Sequence, residues 1–339
     1  MKKILALIVL SIAMVSCYEE YLLDYPYTAI YFYLQQDVRT FVVGEGMKFE
    51  IGASLGGVRQ NTVDRNVNFS LLPSLINKTR LTAMQTSSWG YIKNSTLPVD
   101  TLRLLPVSYY TMTPTSVMVI KSGWHGGTIV IKADSANFLS DSVKTRIATY
   151  ALPFRIDTAD ADSILPLKRT LVVGTMYENK LFGNYWHGGA ALINRPLKTD
   201  TTIVYKTTVP TPENMIWTLT TLSPGVLSCN GYYKATTSAT ANQLTLVLKG
   251  NNIILSAATP HATYPKFTTG ATYPFTADGA CTFNDAKLLQ ARKIFLKYTY
   301  TETVSPFYTY HCTDTLTFRN RIRDGINEWQ DANPSHYSK

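Results

Sequence analysis

Runs in which apolar and polar side chains alternate with a period of two residues are common between about residue 29 and residue 319, while the helical period is almost absent. Leu244, Leu246 and Leu248 alternate with Thr245, Val247 and Lys249, and Ile294, Leu296, Tyr298 and Tyr300 with Phe295, Lys297, Thr299 and Thr301. Ile129, Ile131 and Ala133 oppose Thr128, Val130 and Lys132; Leu316 and Phe318 alternate with Thr315, Thr317 and Arg319. Successive side chains of a strand point to opposite faces, so this pattern places one face on a core and the other towards water. Folds that need apolar residues three and four apart are disfavoured. The composition agrees: 22 tyrosines and only 16% charged residues suit half-buried extended strands.

Further strands are expected at 29–34, 39–43, 48–54, 66–71, 116–120 and 150–156, and a hairpin where Gly250-Asn251-Asn252 follows Leu248. Short helices are expected only over Asp285 to Arg292 and near Arg321 to Trp329. Short strands bounded by turns, with no helices between them, predict an all-β chain whose first half is an immunoglobulin-like β-sandwich. The segment from Asp157 to Lys168 is polar, contains Pro166 and lacks the alternation. A domain boundary is expected there: a sandwich over 28–157, a linker over 158–168, and a second all-β domain over 169–339. That second domain is either a sandwich or a partly open barrel.

The first residues carry a different message. Lys2 and Lys3 precede an apolar stretch beginning at Ile4, which reaches Ser16 and Cys17 by Val15. A basic start, a short apolar core and a small residue before the cut are the parts of a secretory signal, and the stretch is shorter than the ~20 residues of a membrane span. A cysteine directly after the small residue marks a lipoprotein signal, although Met14 stands where leucine is commoner. Residues 1–16 are thus expected to be removed, Cys17 to be acylated, and residues 17–27 to form a tether to a membrane.

The net charge of +9 includes Lys2 and Lys3, and the remaining basic residues form no block. Nucleic-acid binding, which needs a clustered basic patch, is not expected. Cys229, Cys281 and Cys312 are an odd number without zinc-site spacing. They read as small buried residues, with one disulfide among them an open alternative.

Several strings resemble known domains of Bacteroidales lipoproteins. Leu105-Pro106-Val107-Ser108-Tyr109-Tyr110-Thr111, Ser122-Gly123, Gly56-Gly57-Val58 before Asn61, and Tyr150-Ala151-Leu152-Pro153-Phe154-Arg155-Ile156 resemble the domain of unknown function 1735. The run Asp314 to Arg321, with Asp324-Gly325-Ile326-Asn327-Glu328-Trp329, resembles its usual partner, the domain of unknown function 4361. The resemblance implies a surface lipoprotein of the polysaccharide-utilisation type. Such a protein binds a glycan for an outer-membrane importer complex, lies outside the cell, and brings neither catalytic residues nor a cofactor. Glu19 and Glu20, just beyond Cys17, resemble the surface-export signal of these lipoproteins; they also read simply as a solvated acidic tether.

Asp157, Asp160 and Asp162 have the spacing of an Asp-x-x-Asp-x-Asp-x-Glu glycosidase signature, but Ile164 stands where the proton donor belongs. A solvated linker is the preferred reading, with a calcium site a weaker one. His125, His187, His261, His311 and His336 are scattered without metal spacing, and no nucleophile elbow or phosphate loop occurs.

Glycan capture instead needs exposed flat rings, because a pyranose has an apolar face that stacks on an indole or phenol. Trp124 and Trp186 lie beside glycines, and Trp89 follows Ser87-Ser88 in an expected loop. These three, helped by Tyr91 and Tyr185, are the glycan-binding candidates. Trp217, among apolar neighbours, is assigned to the core, and Trp329 to packing of the tail. The competing reading is a structural or adhesive surface lipoprotein with protein partners, in which all these aromatics are buried.

Overall fold

The computed structural model describes residues 27–205, 216–229, 244–257, 275–301 and 307–331. The signal peptide, Cys17 and the tether, apart from Tyr27, lie outside the described residues, as do His261 and His336.

The first half is a two-sheet β-sandwich. One sheet has the order β10 (Ser163–Ile164), β1 (Ala29–Tyr31), β3 (Lys48–Gly56), β8 (Gly126–Ala133) and β6 (Tyr110–Thr113). The other has the order β2 (Gln36–Val43), β11 (Thr170–Asn179), β9 (Tyr150–Ala159), β4 (Arg65–Leu71) and β7 (Val117–Ile120), with β5 (Arg103–Leu104) alongside β9. The core between them holds the expected inward residues, among them Ile129, Ile131, Phe154 and Ile156, all fully buried.

Four short helices depart from the helix-free expectation: α1 (Lys78–Gln85), α2 (Gly90–Thr96), α3 (Ser135–Ser140) and α4 (Ser142–Thr145). The Asn77 side chain caps α1 by accepting from Arg80 N at 2.9 Å, and Leu97-Pro98 ends α2. Leu81, Met84 and Ile92 pack on Val38 and Val172, on the outer face of the second sheet. With at most two buried apolar residues each, these helices show no period in the sequence.

The expected linker also proves to be part of the sandwich. Asp162 accepts hydrogen bonds from Thr28 N (2.7 Å) and Thr28 Oγ1 (2.8 Å), Asp160 accepts from Asn66 N (2.8 Å), and Ser163–Ile164 pairs with β1. Polarity there supplies tertiary hydrogen bonds rather than solubility. Strand β11, expected to open the second domain, pairs with β2 over eight residues and with β9 over six. The chain therefore crosses to the second domain through Lys180-Leu181-Phe182, whose Leu181 and Phe182 are buried in the second core.

That second domain is a closed barrel, not an open one. Among the described residues its ring runs β12 (Gly183–Asn194), β14 (Ile216–Ser223), β15 (Val226–Cys229), β16 (Leu244–Lys249), β17 (Asn252–Ala257), β19 (Cys281–Phe283), β20 (Lys293–Thr301) and β21 (Thr309–Arg323), and β21 returns to β12. β13 (Thr201–Tyr205) continues the β14 edge of β12, and β18 (Phe275–Ala277) continues the β19 edge of β20. Closure depends on Gly189: its φ is +146°, and a Cβ there would lie 2.1 Å from the Thr313 carbonyl oxygen on β21.

The carboxylate of Asp314 is buried in the barrel, where it accepts hydrogen bonds from the hydroxyls of Tyr205 and Tyr298, the latter at 2.7 Å. His187 Nε2 stands 3.0 Å from it, and the imidazole stacks on Trp217 at 3.9 Å. Trp217 is core, as expected. Cys229, Cys281 and Cys312 are all buried.

Neither helix expected in the second domain forms as such. Over Asp285 to Arg292 only a 3-10 turn, Leu289–Ala291, is present. Over 321–329 the chain makes a hairpin, β21 turning through Asp324-Gly325 into β22 (Ile326–Glu328). Both turn residues have positive φ, 53° and 80°, the conformation that the Asp-Gly pair favours in a two-residue hairpin.

Candidate functional site

The Asp324-Gly325 hairpin reaches from the barrel onto the sandwich, and the cleft beneath it is the candidate site. Its floor is the outer face of the second sandwich sheet: Val38 and Thr40 on β2, Met176 and Glu178 on β11. Tyr91 and Ser95 of α2 form one wall, and Phe182 with Ile322, Arg323 and Asp324 the other. The cleft encloses about 90 Å³. Contact across it is close, since a Cβ at Gly325 would lie 2.8 Å from the Tyr91 ring.

Two hydrogen bonds fix the walls. Thr40 Oγ1 donates to Asp324 Oδ1 (2.8 Å), tying hairpin to sheet, and Tyr91 Oη donates to Asp37 Oδ1 (2.8 Å), tying helix to sheet. Arg39 Nε stands 2.8 Å from Asp37 and its Nη1 3.9 Å from Asp324. Burial raises three carboxyls here despite their partners: Asp37 above its ordinary value, Asp324 to about 6, and Glu178 to about 7. Glu178 Oε2 is buried without a hydrogen-bond partner.

A second set of charges sets the angle between sandwich and barrel. Glu45, in the Gly44-Glu45-Gly46 turn between β2 and β3, receives both terminal nitrogens of Arg321 (each 2.9 Å) and Nη2 of Arg292 (2.5 Å). Arg321 also bonds Glu328 (2.6 Å), and its guanidinium lies 5.1 Å from the centre of the Phe182 ring in the cleft wall. Asn179 N adds a bond to Thr221 Oγ1 (3.0 Å).

The five aromatic candidates separate on this frame. Trp89 caps the N-terminus of α2 rather than lying in a long loop; it is 49% exposed, and its ring stands edge-on to Tyr91 at 6.4 Å. Trp89 and Tyr91 therefore belong to one place, Tyr91 in the wall of the cleft and Trp89 next to it. Trp124, 69% exposed in the turn before β8, does not. It sits where β4 begins and β9 ends, whereas the barrel follows β11 at the other end of the sandwich.

Tyr185 is no ligand platform. It is fully buried in the barrel core, its hydroxyl donating to the Leu181 carbonyl (2.9 Å). Trp186 lies in mid-strand, half-buried, with the Arg319 guanidinium 4.8 Å from its ring centre. The neighbouring glycines suggested a turn, but they serve the approach of β12 to β21. Trp329, assigned to tail packing, is 59% exposed.

Of the cleft residues, Thr40, Ser95, Glu178 and Phe182 carry no signal in the sequence, and Asp324 enters it only within the string that resembles the 4361 domain. Asp324-Gly325 alone carried a usable signal, as a hairpin turn. The aspartates of the glycosidase-like string do not assemble a site: Asp157 pairs with Arg155 Nε (2.7 Å), Asp160 with Asn66, and Asp162 with Thr28.

Residues 25–163 match a family model described as a "-like, N-terminal domain", which is the sandwich up to its β10 strand. Among curated proteins, none matches the chain in sequence. A crystal structure of a Bacteroides ovatus protein of unknown function superposes on 91% of this chain and 99% of its own, at 17% identity and a TM-score of 0.54; that shows a shared fold across both domains. A Bacteroides ovatus multidomain protein that includes the domain of unknown function 1735 covers 89% of this chain and 100% of its own, at 12% identity and a TM-score of 0.39. A Bacteroides ovatus protein provisionally described as carbohydrate-binding covers 67% of each chain, at 14% identity and a TM-score of 0.28. Likenesses at these last two levels fix neither fold nor function.

Proposed function

We propose that this chain is a non-catalytic glycan-binding lipoprotein of the outer cell surface, and that the cleft between sandwich and barrel, rimmed by Trp89, is where it holds sugar. The observation that carries the reading is the edge-on pair Trp89–Tyr91, which presents an exposed indole beside hydroxyls and carboxyls of the cleft. A half-exposed indole held against a phenol offers one free face to the apolar side of a pyranose, and the polar groups beside it can read the hydroxyl pattern. The cleft is too small for a sugar ring, so the ring lies on the rim and one substituent enters. Cys17 would anchor the chain in the outer membrane, and delivery to an importer complex completes the role.

The test is affinity electrophoresis and calorimetry of a soluble, unlipidated form of the chain beginning at Tyr18 against plant, host and microbial polysaccharides. It is run beside Trp89→Ala, Trp124→Ala and Trp186→Ala. Binding that Trp89→Ala abolishes while the other two retain it supports the reading. Binding lost only in Trp124→Ala or Trp186→Ala moves the site, and no binding at all favours the structural or adhesive role. Anchoring is checked separately by labelling with a radioactive fatty acid, which Cys17→Ala must prevent.

One observation favours a second reading. Glu178 and Asp324 line the same cleft with raised carboxyl pKa values, and paired carboxyls perform glycoside hydrolysis. A cleft of about 90 Å³ leaves no room for a ring between them, which weighs against it. New reducing ends released from any bound glycan, and lost in Glu178→Gln, would establish the enzyme instead.

A further inference from the structure

We propose that the cleft accepts an uncharged exocyclic hydroxymethyl group, so that the protein takes neutral hexose glycans and rejects their uronate counterparts. The proposal rests on the glycan-binding reading above and names the class of sugar for that site.

The argument is one of unclaimed atoms. The three arginines in and beside the cleft walls already have anionic partners: Arg39 stands against Asp37, Arg323 bonds Glu328 through Nε (2.9 Å) and Nη2 (2.5 Å), and Arg321 is held by Glu45 and Glu328; Arg146 acts on Glu178 through its charge and makes no hydrogen bond to it. Two buried side-chain atoms beside the cleft make no hydrogen bond: Arg39 Nε, which already stands 2.8 Å from Asp37, and an acceptor, Glu178 Oε2. A buried acceptor lacking a donor is costly to the folded chain, and a ligand hydroxyl arriving there supplies the missing donor. Asp324 is a second acceptor in the same wall, taking the Thr40 hydroxyl on Oδ1, with Arg39 Nη1 3.9 Å from its Oδ2.

Size selects the same group. A cleft of about 90 Å³ has space for a few water-sized groups, which suits a hydroxymethyl but not a ring. The Trp89 indole at the rim would hold the ring itself. A carboxylate in place of the hydroxymethyl would meet Glu178 and Asp324 with Arg39, Arg321 and Arg323 already held by other carboxylates, and like charges at contact distance in a partly dry site repel.

The experiment compares each neutral polysaccharide of a panel (α- and β-glucans, mannan, galactan) with its C6-oxidised form, in which the hydroxymethyl has become a carboxylate. Affinity electrophoresis of the mature chain supplies the dissociation constants. The neutral form is expected to bind at least tenfold more tightly than its oxidised partner. In Glu178→Gln, whose amide offers a donor and no charge, the gap should narrow to threefold or less; Asp324→Asn gives the same readout if Glu178→Gln does not fold. Equal or tighter binding of the oxidised form overturns the proposal and leaves glycan binding standing, as does a gap that neither variant narrows. Failure of every neutral and oxidised polymer to bind overturns both.

Discussion

Glu45→Ala removes the carboxylate that two buried arginines share across the domain junction. The Arg292 and Arg321 side chains are only 4% and 3% exposed, and Glu45 itself 10%. Arg321 would keep Glu328 at 2.6 Å, but Arg292 would keep only backbone carbonyls, those of Lys180, Ala286 and Lys287. Breaking a buried pair from one side typically costs about 3–5 kcal/mol, because a charge is left in place without its partner. With Glu328 still serving one arginine, the lower end, about 3 kcal/mol, is the expectation. That is a large part of the ~5–15 kcal/mol by which domains are usually stable.

Urea unfolding followed by tryptophan fluorescence, with Trp217 reporting from inside the barrel, measures the loss. Burial by itself would raise the Glu45 pKa, but hydrogen bonds and charge from Arg321, and then from Arg292, hold it below the ordinary 4.5. A depressed folded pKa means stability that is present above 4.5 and lost as pH falls through the folded value. The difference between wild type and Glu45→Gln should therefore shrink on acidification below about pH 4.5. A loss under about 1 kcal/mol at neutral pH, the value of an exposed ion pair, would refute the claim that this network orients the domains.

Further outcomes are expected. Burial raises Glu178 to about 7 and Asp324 to about 6, so the folded chain binds those protons more readily than the unfolded chain does. Stability should then rise as pH falls from about 8 towards about 5, by at most roughly 3 kcal/mol per group, and fall again below 4.5 as Glu45 is protonated; thermal melts across pH 4–8, with Glu178→Gln flattening the upper limb, check this. Tyr185→Ala should cost about 3–5 kcal/mol as a deleted core aromatic, whereas Trp124→Ala, at an exposed turn, should stay within about 0.5 kcal/mol; chemical denaturation separates the two. Gly189→Ala should prevent barrel closure, read as loss of near-ultraviolet dichroism, since its Cβ would lie 2.1 Å from the Thr313 carbonyl oxygen.

Strand positions were legible because alternation is a local property: the runs around Ile129, Leu246, Leu296 and Leu316 each mark a strand, and each became one, with the named residues buried. The hairpin at Gly250-Asn251 was legible for a similar reason, turn chemistry being written in adjacent residues. The same local code in Asp324-Gly325 was available but overlooked, and with it the element that forms the cleft.

Pairing between distant strands was not legible. Nothing near Thr170 shows that it joins the sandwich rather than a new domain, because its partner β2 lies over a hundred residues away, as in the pair Val172–Gln36. Polarity around Asp157 to Lys168 could not distinguish a solvated linker from side chains whose hydrogen-bond partners lie elsewhere in the chain. Glycines beside Trp186 looked like turns because a sequence shows the missing side chain but not the strand that needs the space. The sequence by itself thus determined an all-β chain, most of its strands and the burial of Trp217. Only the tertiary structure decided that the barrel closes, that Tyr185 is core, and that Trp89, Tyr91, Glu178 and Asp324 share one cleft. Alternation encodes which face of a strand is buried, whereas a cleft is made by contacts between faces that no local pattern records.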